Sequence, residues 1–161
     1  MQKHQKGQKT MKIDKRGIIV CVALLHSSVR NQPCDSIVLG KNKGDDGLRF
    51  IGGFVSTEDM SFKSTVIRLV SQTQQAVPQD IKYLASSRTT YTFYPDSEIL
   101  TVLYAAKTCP DLRILETGTF DTVHVRKFDE LKVQDIATLH KPLFDIFQCS
   151  YLNQKPITLN T

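Results

Sequence analysis

The sequence predicts an α+β domain in which a mixed β-sheet is sandwiched between helices. A continuous run of aliphatic and β-branched residues at 18–25 is typical of a strand that is buried on both faces. Apolar residues spaced three and four apart over 61–76 predict an amphipathic helix. Along the chain the elements follow as strand, strand, strand, helix, hairpin, strand and helix. That order favours one mixed sheet covered by helices, an α/β/α arrangement.

The first half of the chain predicts three strands and a helix. The strands span residues 18–25, 36–39 and 48–55. The helix over 61–76 follows, and Asp59 or Ser61 is placed to cap it, because either side-chain oxygen can accept from first-turn amides. Pro78 marks its end, since proline does not continue a helix.

The second half predicts a hairpin, one more strand and a second helix. The strands span residues 81–94, 98–107 and 123–128. A turn at 95–97 joins the first two. The helix is predicted over 133–149, where Leu143 and Phe147 belong to an apolar stripe. Pro142 is expected to kink this helix or to split it in two.

Length and composition indicate a single domain with two tails. The chain has 161 residues, of which 40% are hydrophobic, and this is enough to bury a core. The expected divisions are a disordered basic tail at 1–16, a domain at 17–150 and an irregular tail at 151–161. No long uncharged apolar run suggests a membrane span. The basic tail accounts for the whole formal net charge of +5, so the domain itself is neutral.

The basic tail has two interpretations. It is either an arm for nucleic acid or another polyanion, or it is a solubilising extension or an unneeded upstream start, with Met11 as an alternative beginning. The second interpretation is favoured because the neutral domain offers no matching basic surface. Nucleic-acid binding is therefore expected only weakly, through residues 1–16. No apolar stretch directly follows the charged residues, so no signal peptide is predicted. Four widely spaced cysteines indicate a reduced, cytoplasmic setting.

The most informative stretch lies at 49–62 and reads RFIGGFVSTEDMSF. Two glycines between apolar strand residues imply a close backbone approach or a backbone angle that other residues avoid. A loop with acidic residues then opens a helix. This pattern resembles the Nudix hydrolase family, whose signature is a Gly-Gly loop followed by a helix. The resemblance implies the Nudix fold, with its mixed sheet between helices.

The resemblance covers about residues 17–150 and is closest to one Nudix branch. The segment 86–88 is similar to that branch's central hairpin, 120–131 to its late strand, and 140–143 to the start of its last helix. The branch includes enzymes that cleave ADP-ribose and a domain fused to nicotinamide-mononucleotide adenylyltransferase. The resemblance therefore implies a nucleotide ligand and a role in NAD metabolism. Because members of the branch often pair, it also implies a homodimer.

The predicted helix departs from the family's Nudix box, so the box is degenerate. Counting from Gly53, the first acid of the box falls on Asp59, and its two metal-binding glutamates fall on Ser71 and Gln72. Residues 60–79 contain no Asp or Glu at all. Pyrophosphate cleavage needs Mg²⁺, and Mg²⁺ prefers carboxylate oxygens. The usual metal site is therefore predicted to be lost, and neither a metal nor a cofactor is expected.

The first of three hypotheses is a non-hydrolytic binding protein. It would hold an ADP-ribose-like or NAD-like nucleotide diphosphate, or a protein partner, on the family's cleft. Arg49, Gly52, Gly53 and Arg88 are the candidate phosphate contacts, through charge and through close backbone approach. The alternative for these residues is structural: the glycines serve strand geometry and the arginines lie on the surface.

The second hypothesis is an active hydrolase with a rebuilt Mg²⁺ or Mn²⁺ site. Its candidate catalytic acids are Glu58, Asp59, Glu116 and Asp121. It ranks lower because Asp59 is also placed to cap the helix, and because the helix itself supplies no carboxylate. The third hypothesis is an interaction protein that docks an acidic partner through residues 1–16.

Overall fold

The computed structural model describes residues 17–72, 77–90, 98–108 and 120–153. The predicted tail at 1–16, the hairpin turn at 95–97 and the candidate acid Glu116 lie outside these ranges, so the predictions made for them stay predictions. Within the described ranges, no helix has the length and apolar character that a membrane span requires.

Six strands in the described part of the chain form one mixed sheet. They are β1 (Ile18–His26), β2 (Ser36–Lys41), β3 (Ile51–Phe54), β4 (Gln79–Thr90), β5 (Glu98–Lys107) and β6 (Thr122–Lys127). The sheet order is β4-β5-β1-β2-β6, and β3 pairs with the first half of β1. Strand β1 runs parallel to β5 and antiparallel to β2 and β3, whereas β4 and β5 form the predicted antiparallel pair. The predicted mixed sheet is confirmed.

Strand β1 lies at the centre of the sheet because both of its faces are apolar. Its odd-numbered residues from 21 to 25 belong to one core cluster, and its even-numbered residues from 20 to 24 belong to another. None of these six residues is more than 2% exposed. Since successive side chains of a strand point to opposite faces, the continuous apolar run supplies both cores, as predicted.

The first helix, α1 (Phe62–Ser71), packs its apolar stripe against the even-numbered side of β1. The hydroxyl of Ser61 accepts from the backbone N–H of Ser64 at 3.2 Å, so Ser61 is the residue that caps this helix. The helix ends at Ser71 instead of reaching residue 76. Residues 73–76 lie outside the described ranges.

The second predicted helix is wrong in extent. Over 133–140 the chain forms two short 3₁₀ turns, and the α-helix α2 (Lys141–Phe147) begins only afterwards. Pro142 lacks the N–H that a helix interior needs, but it fits the first turn, where that N–H has no partner. Upstream, Leu48 exchanges two backbone hydrogen bonds of 2.8 and 2.9 Å with the segment 135–137. These bonds hold the segment beside the sheet, where a continuous helix would not fit.

Helix α2 covers the opposite face of the sheet from α1. Phe144 and Phe147 pack in the cluster that contains the odd-numbered residues of β1. A π-helical turn, Gln148–Leu152, follows, and Tyr151 stacks on Phe147 with 5.4 Å between the ring centroids. The packed chain therefore continues past the predicted domain boundary at residue 150. Residues 154–161 of the predicted irregular tail lie outside the described ranges.

Candidate functional site

An ion pair holds the segment between β3 and α1. Arg68 contacts Asp59 through two nitrogens, Nε to Oδ1 at 3.1 Å and Nη2 to Oδ2 at 3.0 Å. The Asp59 carboxylate also accepts from the Ser56 N–H and from the Thr65 hydroxyl, each at 2.9 Å. Arg68 donates further to the Phe54 carbonyl at 2.8 Å. We call these five residues the Asp59–Arg68 network.

The network occupies the carboxylate of Asp59. The side chain is 6% exposed and accepts four hydrogen bonds. Its hydrogen bonds from Arg68, followed by the one from the Ser56 N–H, hold the pKa of the Asp59 carboxyl well below its usual range. Asp59 therefore stays ionised and ties the loop to α1. It does not cap the helix.

The rest of this segment offers no carboxylate cage for Mg²⁺. The hydroxyl of Ser71 donates to the Ile67 carbonyl at 2.6 Å, and both Ser71 and Gln72 are exposed on α1 and at its end. Glu58 is exposed on the loop. In the part of the chain that the structure describes, no three His, Cys, Asp or Glu side chains are grouped so that they could hold a metal ion. Mg²⁺ needs near-octahedral oxygen ligands that include carboxylates, so this donor set does not fit it.

The late candidate acid, Asp121, has structural partners of its own. Its carboxylate accepts from the Lys43 N–H at 2.6 Å, and its backbone N–H donates to the side-chain oxygen of Asn42 at 3.0 Å. These bonds join the start of β6 to the loop that follows β2. Glu116, the other late candidate, lies outside the described residues.

The candidate ligand site is a cavity of about 180 Å³ beside the Gly-Gly segment. It is lined by Ile19, Cys21, Asn42, Arg49, Phe50, Gly52, Gly53, Phe54, Phe120 and His140. We call it the His140 cavity. Three of the four predicted phosphate contacts, Arg49, Gly52 and Gly53, meet in this lining. The fourth, Arg88, lies on β4 opposite Leu100 of β5 and does not line the cavity.

The two glycines of β3 are explained by close packing and not by an unusual backbone angle. A Cβ atom on Gly52 would lie 3.0 Å from the sulfur of Cys21, and one on Gly53 would lie 2.7 Å from a methyl carbon of Leu69. Neither glycine has a positive φ. Of the two predicted reasons, close approach is therefore the one that applies: β1 and α1 both come near the bare backbone of β3.

Arg49 supplies the positive charge in the lining of the cavity. Its backbone exchanges two hydrogen bonds with Gly40, of 2.8 and 2.9 Å, which fix the point where the side chain leaves the chain. The guanidinium lies 3.7 Å from Asp45, and the Arg49 side chain is 35% exposed. An ion pair of this length at a partly exposed position is weak. A ligand anion can therefore compete with Asp45 for the five N–H donors of Arg49.

His140 is a residue of the cavity that the sequence did not single out as functional. It is 4% exposed and immediately precedes α2. The Phe50 N–H donates to Nδ1 of His140 at 3.0 Å, and the two rings stack with 5.9 Å between their centroids. Burial, together with the charge of Arg49, lowers the pKa of His140 to about 4. The ring is neutral at pH 7, and because Nδ1 accepts, its single hydrogen lies on Nε2.

The sequence carried little signal for this role of His140. The segment 140–143 stood out only as the opening of a helix, and the four histidines show no catalytic or metal-binding spacing. The hydrogen bond to Phe50 joins residues 90 positions apart. Only the folded chain brings the two together.

The fold is similar to that of Nudix proteins of known structure, although no family model and no curated protein matches the sequence. The Nudix domain of Shewanella oneidensis NrtR, solved with ADP-ribose, matches with a TM-score of 0.62 at 18% identity over 86% of this chain and 89% of that one. The MutT protein of Bacillus halodurans matches at 0.61 and 14% identity over 80% of each chain. The C-terminal domain of mouse MUTYH, solved in complex with human PCNA, matches at 0.56 and 11% identity over 89% and 95%.

Identities this low show the fold alone. The chain has a Nudix-like fold, and the predicted α+β class with a mixed sheet between helices is confirmed.

Proposed function

We propose that this chain binds a nucleoside-diphosphate ligand of the ADP-ribose or NAD type in the His140 cavity, without the usual metal-dependent hydrolysis. The observation that carries the proposal is the difference between two neighbouring sites beside β3, the His140 cavity and the Asp59–Arg68 network. Arg49 and His140 line the cavity next to the Gly-Gly segment. The acid at the first position of the Nudix box is instead bound to Arg68.

The charge of the lining favours an anionic ligand. Arg49 lines the cavity, and none of the described lining residues is a carboxylate. A guanidinium binds phosphate through paired N–H donors in a planar fork, which both strengthens and orients the contact. Because Asp45 lies 3.7 Å away, Arg49 can turn from it to a phosphate at little cost. The diphosphate is therefore expected beside Arg49.

The size and the apolar part of the lining favour a ring-sized group in the cavity itself. Phe50, Phe54 and Phe120 contribute aromatic surface. The volume of about 180 Å³ slightly exceeds that of an engineered protein cavity of about 150 Å³ that accommodates benzene. The cavity therefore holds one ring or one phosphate group of the ligand, and the remainder of the nucleotide lies outside it.

Two further observations support the ligand class and the loss of hydrolysis. The NrtR Nudix domain, which shares the fold, was solved with ADP-ribose. Ser71 and Gln72, at the metal-binding positions of the box, offer Mg²⁺ only neutral oxygens, which bind it weakly. The alternative, an active hydrolase, needs Mg²⁺ or Mn²⁺ to be held by acids such as Glu58, Asp121 and Glu116.

A thermal-shift titration with ADP-ribose, first in EDTA and then in Mg²⁺ or Mn²⁺, tests this proposal. We expect a rise in Tm in EDTA and no AMP by chromatography in any sample. Metal-dependent release of AMP would establish the hydrolase alternative instead. Arg49→Gln should reduce the rise in Tm. Arg30→Gln, a matched control in the loop after β1, removes the same charge away from the cavity and should leave the rise unchanged.

A protein partner is the second candidate. The C-terminal domain of mouse MUTYH, solved with human PCNA, shares the fold. In this chain Phe54 and Met60 are 40% and 92% exposed in and beside the Asp59–Arg68 network. Exposed apolar side chains of this kind favour a contact with another protein. An unchanged Tm with both ADP-ribose and NAD would favour this candidate, and deletion of residues 1–16 tests the tail separately.

A further inference from the structure

One buried hydrogen-bond donor in the His140 cavity has no partner among the described residues. The Phe50 N–H occupies Nδ1 of His140 at 3.0 Å, so the ring hydrogen lies on Nε2. No hydrogen bond joins Nε2 to any described residue. The residue is 4% exposed and lines the cavity. A buried donor without an acceptor loses its hydration and gains nothing in return, so the Nε2–H is available to an acceptor that enters the cavity.

We propose that His140 determines ligand specificity by donating its Nε2–H to a hydrogen-bond acceptor on the ligand that fills the cavity. The acceptor is a ring nitrogen or carbonyl of the base, or a phosphate oxygen. This inference rests on the proposed function and deepens it, because it adds a rule of selection. A ligand that presents an N–H group or an ammonium at this point would meet a donor with no lone pair, and it would be rejected.

Several contacts keep the donor of His140 in place. Turning the ring over would break the bond to the Phe50 N–H, and the Phe50 ring lies against it with an angle of 21° between the planes. The His140 N–H donates to the Ala137 carbonyl at 2.8 Å. Gly47 permits the approach of this segment, since a Cβ there would lie 2.5 Å from the Ala137 nitrogen. The donor is therefore fixed before the ligand arrives, which lowers the entropic cost of binding.

The charges near the ring agree with this role. Arg49 and Asp45 are the charged groups that act on His140. Burial keeps the ring neutral near pH 7, so it presents one donor and no positive charge of its own. Arg49 lines the same cavity. An acceptor that belongs to an anionic nucleotide can therefore meet Nε2–H while Arg49 binds the negative charge.

Two substitutions of His140 separate the acceptor role of Nδ1 from the donor role of Nε2. Asparagine places its amide oxygen near the position of Nδ1 and no group at Nε2, so His140→Asn keeps the acceptor for Phe50 and loses the donor to the cavity. Glutamine reaches the position of Nε2 with an N–H but not that of Nδ1, so His140→Gln does the reverse. We expect His140→Asn to bind ADP-ribose in EDTA at least about tenfold more weakly, with a Tm near that of the wild type. His140→Gln should recover most of the affinity and lower the Tm.

Isothermal titration of the full chain distinguishes the outcomes. If the wild type binds ADP-ribose and His140→Asn binds it equally well, the inference is overturned and the proposed function stands. If the wild type binds no ADP-ribose, the proposed function fails and the inference fails with it. Should His140→Asn not fold, the ring ¹⁵N–¹H signal of Nε2 in the wild type decides. It must shift when ADP-ribose is added, and an unmoved signal in the bound protein contradicts donation.

A second ligand locates the acceptor. Uridine diphosphate glucose keeps the diphosphate and changes the base. Equal losses of affinity for the two ligands in His140→Asn place the acceptor on the diphosphate. A loss for ADP-ribose alone places it on the base. Either result supports donation by His140.

Discussion

Two regions beside β3 differ in how their polar groups are paired. In the Asp59–Arg68 network the carboxylate accepts four hydrogen bonds and the guanidinium donates three. In the His140 cavity one nitrogen of a buried ring has no partner among the described residues, and Arg49 lies 3.7 Å from its carboxylate. The first region is complete without a ligand, whereas the second has groups left for one. Whether a polar residue near a sequence motif is available to a ligand therefore depends on which of its hydrogen bonds are already formed within the protein.

Arg68 also changes the electrostatics of the network. It brings a fixed positive charge to Asp59. A metal ion that needed this carboxylate would have to displace the guanidinium and break its paired hydrogen bonds. The same residue that stabilises the loop therefore disfavours a rebuilt metal site at Asp59.

Removal of Asp59 should have the largest effect. Asp59→Ala leaves the Arg68 guanidinium and the Ser56 N–H without their acceptor, so we expect the largest fall in stability of the variants discussed here. The double variant Asp59→Ala/Arg68→Ala should be no less stable than Asp59→Ala alone, because the unpaired charge is gone. Urea denaturation gives the free energy of unfolding of the four proteins of this double-mutant cycle, namely the wild type, Asp59→Ala, Arg68→Ala and the double variant. Strictly additive losses would show that the pair is not coupled.

Acidification tests whether the ring of His140, in the His140 cavity, is buried in its neutral form. The pKa of His140 falls from 6.5 to about 4 in the folded chain, chiefly through burial, so the unfolded chain takes up its proton first as the pH falls. The free energy of unfolding should keep its full value above pH 6.5 and decline by about 3 kcal/mol between pH 6.5 and 4. Denaturation curves at several pH values measure the decline.

His140→Asn is the control for this pH dependence. His124, whose pKa burial also lowers, contributes in the same direction and remains in the variant. The carboxyl of Asp59, with a pKa below its usual range, acts mainly at more acidic pH. We therefore expect a shallower decline for His140→Asn than for the wild type. An identical decline would mean that His140 does not titrate as a buried neutral ring.

Gly53→Ala should have a smaller effect, confined to packing. The added methyl meets Leu69 at 2.7 Å, and overpacking of this kind costs about 1–3 kcal/mol. Leu69→Val in the same chain should recover part of the loss by making room. Urea denaturation and ADP-ribose titration together decide the role of this glycine. A loss of affinity without a loss of stability would make Gly53 a phosphate contact and not a packing position.

Arg88→Gln should have the smallest effect. Arg88 lies on β4, opposite Leu100, and outside the lining of the His140 cavity. We expect the affinity for ADP-ribose to change by less than about twofold, which is the scale of ordinary surface substitutions. A loss as large as that of Arg49→Gln would move the phosphate site towards β4.

The sequence was most informative where the pattern is local. The run that forms β1 and the stripe that forms α1 each lie within one element, so periodicity alone predicts them. The region before α2 was mispredicted because Leu48 binds 135–137 across the fold, and no local pattern shows that bond. At the candidate site, the Gly-Gly segment was visible in the sequence because it is a local pattern. The donor of His140 was not, since it depends on the backbone N–H of Phe50.

Calorimetric titration of the full chain with ADP-ribose, once in EDTA and once in Mg²⁺, measures whether the nucleotide binds without a metal ion. If the Asp59–Arg68 network has replaced the metal site and the His140 cavity binds the nucleotide, both titrations should give the same Kd, with no heat after saturation. Binding that appears only in Mg²⁺, or a continuous heat of hydrolysis after each injection, would show that the chain keeps a metal-dependent site.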